Sequence, residues 1–178
     1  MRITGGVLKG QHIIVPSGLD IRPTTDKTRE AIFSILGEEI MGAQIADLFC
    51  GSGALGIEAL SRGAGHVLFV DSSRSAIANL KKNLRSLGIV DKSDIKLKDV
   101  LKIAPAMVND RQIILADPPY RKKLGDKLIS LLCLPKFEWY GILALEHEPG
   151  WSYGGEEMEL IKSKSYGDVA VSFLRKIR

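Results

Sequence analysis

Asp47-Leu-Phe-Cys-Gly51-Ser52-Gly53-Ala-Leu-Gly56 is the stretch that decides the fold. It joins an apolar run, Ile45–Phe49, to a helix-like segment, Ala54–Arg62, and it contains a complete G-x-G-x-x-G. Glycines in that position let the backbone turn sharply and come close to a ligand. Asp71 ends the next apolar run, 20 residues after Gly51, where a carboxylate can accept from both hydroxyls of a ribose. Strand, glycine loop, helix, strand and acid together predict a nucleoside site at the carboxyl edge of a parallel sheet.

The same alternation continues outward. Ile45–Phe49, Val67–Val70, Ile95–Leu97, Ile113–Ala116 and Ile142–Leu145 read as strands covered on both faces. Ala54–Arg62, Ser73–Leu87, Val100–Val108 and Lys123–Leu132 read as the crossover helices between them. In Ser73–Leu87, Ile77, Leu80, Leu84 and Leu87 share a stripe opposite Lys81, Lys82 and Arg85. Met158–Lys164, a Tyr166-Gly167-Asp168 turn and Val169–Ile177 predict a closing β-hairpin. Before the loop, residues 1–15 predict a small hairpin turning at Gly5-Gly6, and Pro16 to Pro23 a loop. A helix then starts at Thr25-Asp26, both good N-cap residues. The expected architecture is one doubly wound α/β domain over residues 1–178. Within it, 1–23 form an N-terminal extension and 24–178 the helix and the cofactor-binding core.

Composition sets the outer limits. The chain has 178 residues, 45% hydrophobic and 26% charged, which excludes a disordered or fibrous protein. Two cysteines, Cys50 and Cys133, make neither a disulfide scaffold nor a metal site, and fit free thiols in a reducing, cytoplasmic compartment. No metal is expected. No charged segment followed by an apolar one opens the sequence, and no apolar run is long enough to span a membrane. A net charge of +4 permits a polyanionic partner without requiring one.

Asp47, four residues before Gly51, discriminates between cofactors. A carboxylate beside the loop repels the pyrophosphate of a dinucleotide, whereas S-adenosylmethionine brings an ammonium and a sulfonium. Phe49, Gly51, Ser52, Gly53, Asp71 and Ser72 complete the candidate cofactor set, with Asp99 and Val100 after the third run. Asp99 there can accept from an adenine amine or simply cap the following turn. Ile113-Ile-Leu-Ala is followed by Asp117-Pro118-Pro119-Tyr120. Two prolines stop the strand and stiffen the loop. The Asp117 side chain and the Pro118 carbonyl are two acceptors, suited to the two hydrogens of an exocyclic amine. Tyr120 offers a ring on which a flipped base can stack, worth about 1–3 kcal/mol.

Asp-x-Phe-x-Gly-x-Gly with Asp-Pro-Pro-Tyr resembles the Rossmann-like amino-group methyltransferases. The whole chain more narrowly resembles the bacterial 16S rRNA guanine-N2 methyltransferases. The matching stretches are Arg2–Gly6 with Lys9-Gly10, Arg22–Phe33, Asp47–Ala64, Asp117–Tyr120 and Glu146. The resemblance implies a seven-stranded, mostly parallel sheet with a C-terminal antiparallel hairpin and an N-terminal β-hairpin and helix. It also implies S-adenosylmethionine as cofactor and a monomer that acts on guanine(966) of 16S rRNA in the small subunit. Asp117 and Pro118 would hold the amine and Tyr120 would stack. Asp71 replaces the Glu usual in that family. Glu146 can line the base pocket or pair with a neighbour.

Arg2, Lys9, Arg22 and Arg29 in the N-terminal region, with Arg121 and Lys122 after the tetrapeptide, predict a basic rim for RNA phosphates. Aromatic residues are only 6%, too few for an extended stacking platform. Three alternatives stay open on sequence: an amino methyltransferase for another base or for protein glutamine, an NAD-linked oxidoreductase, and a non-enzymatic ribosome-assembly factor.

Overall fold

The computed structural model describes residues 1–15, 25–120 and 123–177. The chain runs α1 (Asp26–Leu36), β1 (Gln44–Leu48), α2 (Ala54–Ser61), β2 (His66–Asp71), α3 (Arg74–Ser86), β3 (Ser93–Leu97), β4 (Ile113–Ala116), α4 (Leu124–Cys133), β5 (Ile142–His147), β6 (Met158–Tyr166) and β7 (Val169–Lys176). Caps fix where two of the helices begin. The Thr25 side chain accepts from Thr28 N at the start of α1, and Ser73 does the same for Ala76 N at α3.

The strands form one sheet in the order β3-β2-β1-β4-β5-β7-β6, parallel except for β7, which runs antiparallel to both β5 and β6. The order reverses between β1 and β4, so the loops leaving these two strands open a crevice at the carboxyl edge. Alternation along each strand divides the core in two. Ile45, Val67, Phe69, Ile113, Leu115, Ile142 and Ala144 pack with Ile32, Phe33, Leu36, Ile57 and Leu80, under α1, α2 and α3. Ala46, Leu48, Leu68, Val70, Ile114, Leu143 and Leu145 pack with Leu128, Leu132, Phe137 and Trp139 on the α4 side.

Three expectations need correction. Val100–Val108 is not a helix but two short 3₁₀ turns, Val100–Lys102 and Pro105–Met107. Pro105 lacks an N–H and holds Ala104 in an extended conformation (ψ 150), so no α-helix can run through. β3 is not covered on both faces: only Ser93 and Ile95 are half-buried, because the strand is the sheet's edge. The N-terminal segment is paired through a single bridge, Arg2 to His12, with Ile3 N on Gln11 O at 2.9 Å and Ile13 N on Met1 O at 2.8 Å. Gly5-Gly6 is not its turn. These glycines press the chain onto the end of α2, where a side chain on Gly6 (φ 78) would collide with the Ser61 carbonyl.

Candidate functional site

The glycine loop is shaped from below and left open above. Gly53 N donates to Cys50 O at 2.7 Å, and Cys50 N to Val70 O at 3.1 Å. Gly53 (φ 83) and Gly56 are close-approach glycines, since a Cβ would collide with Leu80 Cδ1 at the first and Phe69 Cε1 at the second. Gly51 (φ 52) differs: a Cβ there would meet no atom within 4 Å. Its backbone faces open space of the kind a ligand can fill. Phe49, directly before the loop, holds a left-handed φ of 60, a strained conformation for an aromatic residue at the strand's exit. Ser52 is half-buried, and its carbonyl accepts from Asn83 Nδ2 at 3.1 Å.

Asp71 lies at the end of β2 and clamps the loop. Its Oδ2 accepts from Gly51 N at 2.9 Å and its Oδ1 from Ser73 N at 2.8 Å. Each carboxylate oxygen has capacity for a second bond, so acceptor sites remain for ribose hydroxyls. Ser72 is exposed beside it. Asp99 is also exposed and caps its turn through Leu101 N at 3.0 Å, while Val100 is 2% exposed and gives the site an apolar flank.

Asp47 behaves differently from the expectation of a charge facing the ligand. It is 1% exposed, and its Oδ2 accepts from Gly56 N at 2.9 Å inside the first turn of α2. Burial pushes its pKa up to about 8 against the opposing pull of the Gly56 N–H, and the charges of Asp117 and Asp71 push it the same way as burial. At neutral pH it is mostly protonated and secures the loop, so the anionic edge consists of its neighbours. The charges of Asp71 and Asp117 beside Asp47 favour a cationic ligand and disfavour a pyrophosphate. The residues present therefore fit the sulfonium and ammonium of S-adenosylmethionine.

Strand register places the second half of the site. Leu48 pairs with Val70 and Ala116, and Ala116 with Leu145. The next row along the carboxyl edge is therefore Asp71, Phe49, Asp117 and Glu146. Asp117 is half-buried, Pro118 buried, Pro119 exposed and Tyr120 half-buried. Glu146 is 2% exposed in β5.

The basic rim is smaller than expected. Arg29 is fully buried and is removed from the rim. Its Nη2 meets Asp26 Oδ1 at 2.7 Å and donates to Arg2 O at 2.6 Å, and its Nε lies 3.7 Å from the buried carboxylate of Glu58. Glu58 also takes Arg62 Nε at 2.8 Å, Thr4 N at 2.9 Å and Thr4 Oγ1 at 2.7 Å. Lys9 is exposed, but on the tip whose Val7 and Leu8 bind Ser61 at the last turn of α2, the end away from the glycine loop. Arg2 is exposed near the first turn of α1. Arg22, Arg121 and Lys122 lie outside the described residues.

Sequence reasoning missed Asn83. It is fully buried, donating to Ile14 O at 3.0 Å as well as to Ser52 O, and accepting from Ile14 N at 2.9 Å. It ties the N-terminal segment to the cofactor loop. The available signal was an amide beside Leu84 on the apolar stripe of a helix whose other face is basic.

A family model described as "Conserved hypothetical protein 95" matches residues 1–175. "Putative rRNA methyltransferase YlbH" of Bacillus subtilis is 35% identical over 99% of both chains. "Ribosomal RNA small subunit methyltransferase D" of Escherichia coli is 36% identical over 74% of this chain and 66% of that protein. A solved Escherichia coli structure, "Putative methyltransferase yhhF", superposes with a TM-score of 0.85 at 32% identity, over 99% of this chain and 97% of that one. An RNA methyltransferase from Salinibacter ruber, in complex with S-adenosyl-L-homocysteine, shares the fold (TM-score 0.70) at 12% identity. The doubly wound sheet with its antiparallel β7 is thus the Rossmann-like methyltransferase fold. Matched from residue 1 to 175 by the family model, and end to end by a relative bearing an rRNA methyltransferase name, the chain belongs to this methyltransferase family.

Proposed function

We propose that the protein methylates the exocyclic N2 amine of a guanine in the 16S rRNA of the small ribosomal subunit, guanine(966), as a cytoplasmic monomer. The observation that carries this reading is the placement of two motifs. Asp117-Pro-Pro-Tyr120 leaves β4 beside the glycine loop that leaves β1, at the point where the strand order reverses. S-adenosylmethionine is the cofactor, and when bound it supplies an electrophilic methyl group. Gly51 and Asp71 would hold its nucleoside, with Val100 flanking the base and Asp99 within its reach. Asp117 and the Pro118 carbonyl would draw the two amine hydrogens out of the base plane, turning the nitrogen lone pair toward the methyl. Tyr120 would fix the ring by stacking. No general base is needed, because the alkylated nitrogen loses its proton readily to water. Catalysis then rests on positioning, which can supply ~7–11 kcal/mol.

The test is methyl transfer from labelled cofactor to small subunits, naked 16S rRNA and DNA, followed by nucleoside mapping. N2-methylguanosine in small-subunit RNA is the expected product. Label confined to DNA, or in another nucleoside, would overturn the reading.

Two variants probe its parts. Asp71→Ala should weaken cofactor binding tenfold or more in calorimetry, from a charge-assisted bond worth roughly 1.5–3 kcal/mol and the lost clamp on Gly51 N. Arg2→Ala should flatten the salt dependence of subunit binding by about one phosphate equivalent, and Lys9→Ala by less. Equal effects of the two would contradict the placement of Lys9 away from the crevice.

A further inference from the structure

Four carboxylates gather on one face at the carboxyl edge, and the mechanism above uses two of them, Asp71 and Asp117. Asp47, Asp71, Asp117 and Glu146 follow Ile45, Phe69, Leu115 and Ala144 by two residues on β1, β2, β4 and β5. Those four apolar residues all belong to the core beneath α1, α2 and α3. Alternation therefore puts the four acids on one face of the sheet. Asp47 holds α2, and Asp71 holds the glycine loop. Glu146 follows Leu145, the register partner of Ala116, so it sits where Asp117 leaves the end of β4, across a strand spacing of about 4.8 Å.

Guanine carries a distinctive donor pair, its N2 amine and the adjacent N1–H. Adenine and cytosine present no N–H beside their amine; their ring nitrogen there is an acceptor. An acid set next to the one that holds the amine accepts from N1–H and repels a ring nitrogen bearing a lone pair. We propose that Glu146 is the residue that selects guanine, its carboxylate accepting from N1–H while Asp117 and Pro118 hold N2. This rests on the guanine-N2 reading and supplies what Asp-Pro-Pro-Tyr lacks, since that tetrapeptide handles an amine without identifying the ring.

The test compares small subunits reconstituted with guanine or 2,6-diaminopurine at the methylated position. Diaminopurine keeps the N2 amine but has an unprotonated N1. The wild-type protein should prefer guanine by about 10–100-fold in kcat/KM. Glu146→Gln keeps the shape and can turn its amide NH2 toward the bare N1, so it should narrow that preference at least tenfold. Cofactor affinity, measured by calorimetry, should stay within a few-fold. An unchanged preference in the variant overturns the proposal, as does a wild-type protein that methylates both bases equally. If wild-type protein leaves guanine subunits unmethylated, the guanine-N2 reading itself fails and takes this role with it. Should Glu146→Gln lose cofactor binding, Glu146→Asp replaces it. That variant keeps the charge but not the reach, and an undiminished preference for guanine there overturns the proposal equally.

Discussion

Arg29→Met is expected to destabilise the protein by about 3 kcal/mol, the lower end for breaking a buried ion pair. The substitution keeps an unbranched apolar side chain but removes the donor to Arg2 O and one of the two cations beside Glu58. Arg62 still faces Glu58, which keeps the loss from being larger. For a chain of this length the melting temperature should fall by roughly 6–12 °C. The salt dependence of subunit binding should stay as it is, because a fully buried guanidinium does not touch a phosphate. A variant with near-normal melting and a flatter salt slope would return Arg29 to the basic rim. Glu58→Ala should cost more, about 3–5 kcal/mol, since it takes the buried carboxylate from both Arg29 and Arg62 and frees two bonds from Thr4.

That network also shows where sequence reading stops. The glycine loop and Asp-Pro-Pro-Tyr were legible because each is contiguous and its chemistry is local: a turn that needs glycine, a strand ended by prolines. The central strands β1, β2, β4 and β5 were legible because burial on both faces removes polar residues from them, which the edge strand β3 does not share. Arg29 was not. Its decisive partners, Arg2 and Glu58, lie 27 residues before it and 29 after it, so in sequence it is only a basic residue three positions from Asp26. Asp47 was half legible: its neighbourhood to the loop is sequential, but its burial depends on which face of β1 it takes and on α2 lying there. Val100–Val108 failed through a local feature that was present, because Pro105 forbids the helix that the surrounding residues suggest. Asn83 needed the assembled fold, since it gains its meaning from neighbours brought in by other elements.

Asp117→Ala is expected to lower methyl transfer at least 100-fold while cofactor affinity stays within a few-fold. The size follows from the division of labour at the edge. The cofactor would be held by the loop after β1 and by Asp71, one strand beyond it, whereas Asp117 leaves β4 on the other side of the crevice. Removing it leaves the nucleoside contacts intact and releases the amine from the geometry in which its lone pair meets the methyl. Misplacement by about 1 Å at a reacting centre can cost 10²-fold. Asp117→Asn separates acceptor from charge. Its amide oxygen still accepts one amine hydrogen, so the Asn variant should retain more activity than the Ala variant. It also removes a charge that raises the Asp47 pKa, so Asp47 should titrate at lower pH in either variant. Single-turnover methyl transfer under saturating cofactor, with calorimetry alongside, reads both quantities. Near-normal transfer by the Ala variant would refute the amine-holding role. A parallel collapse of cofactor binding would move Asp117 into the cofactor site, beside Asp71.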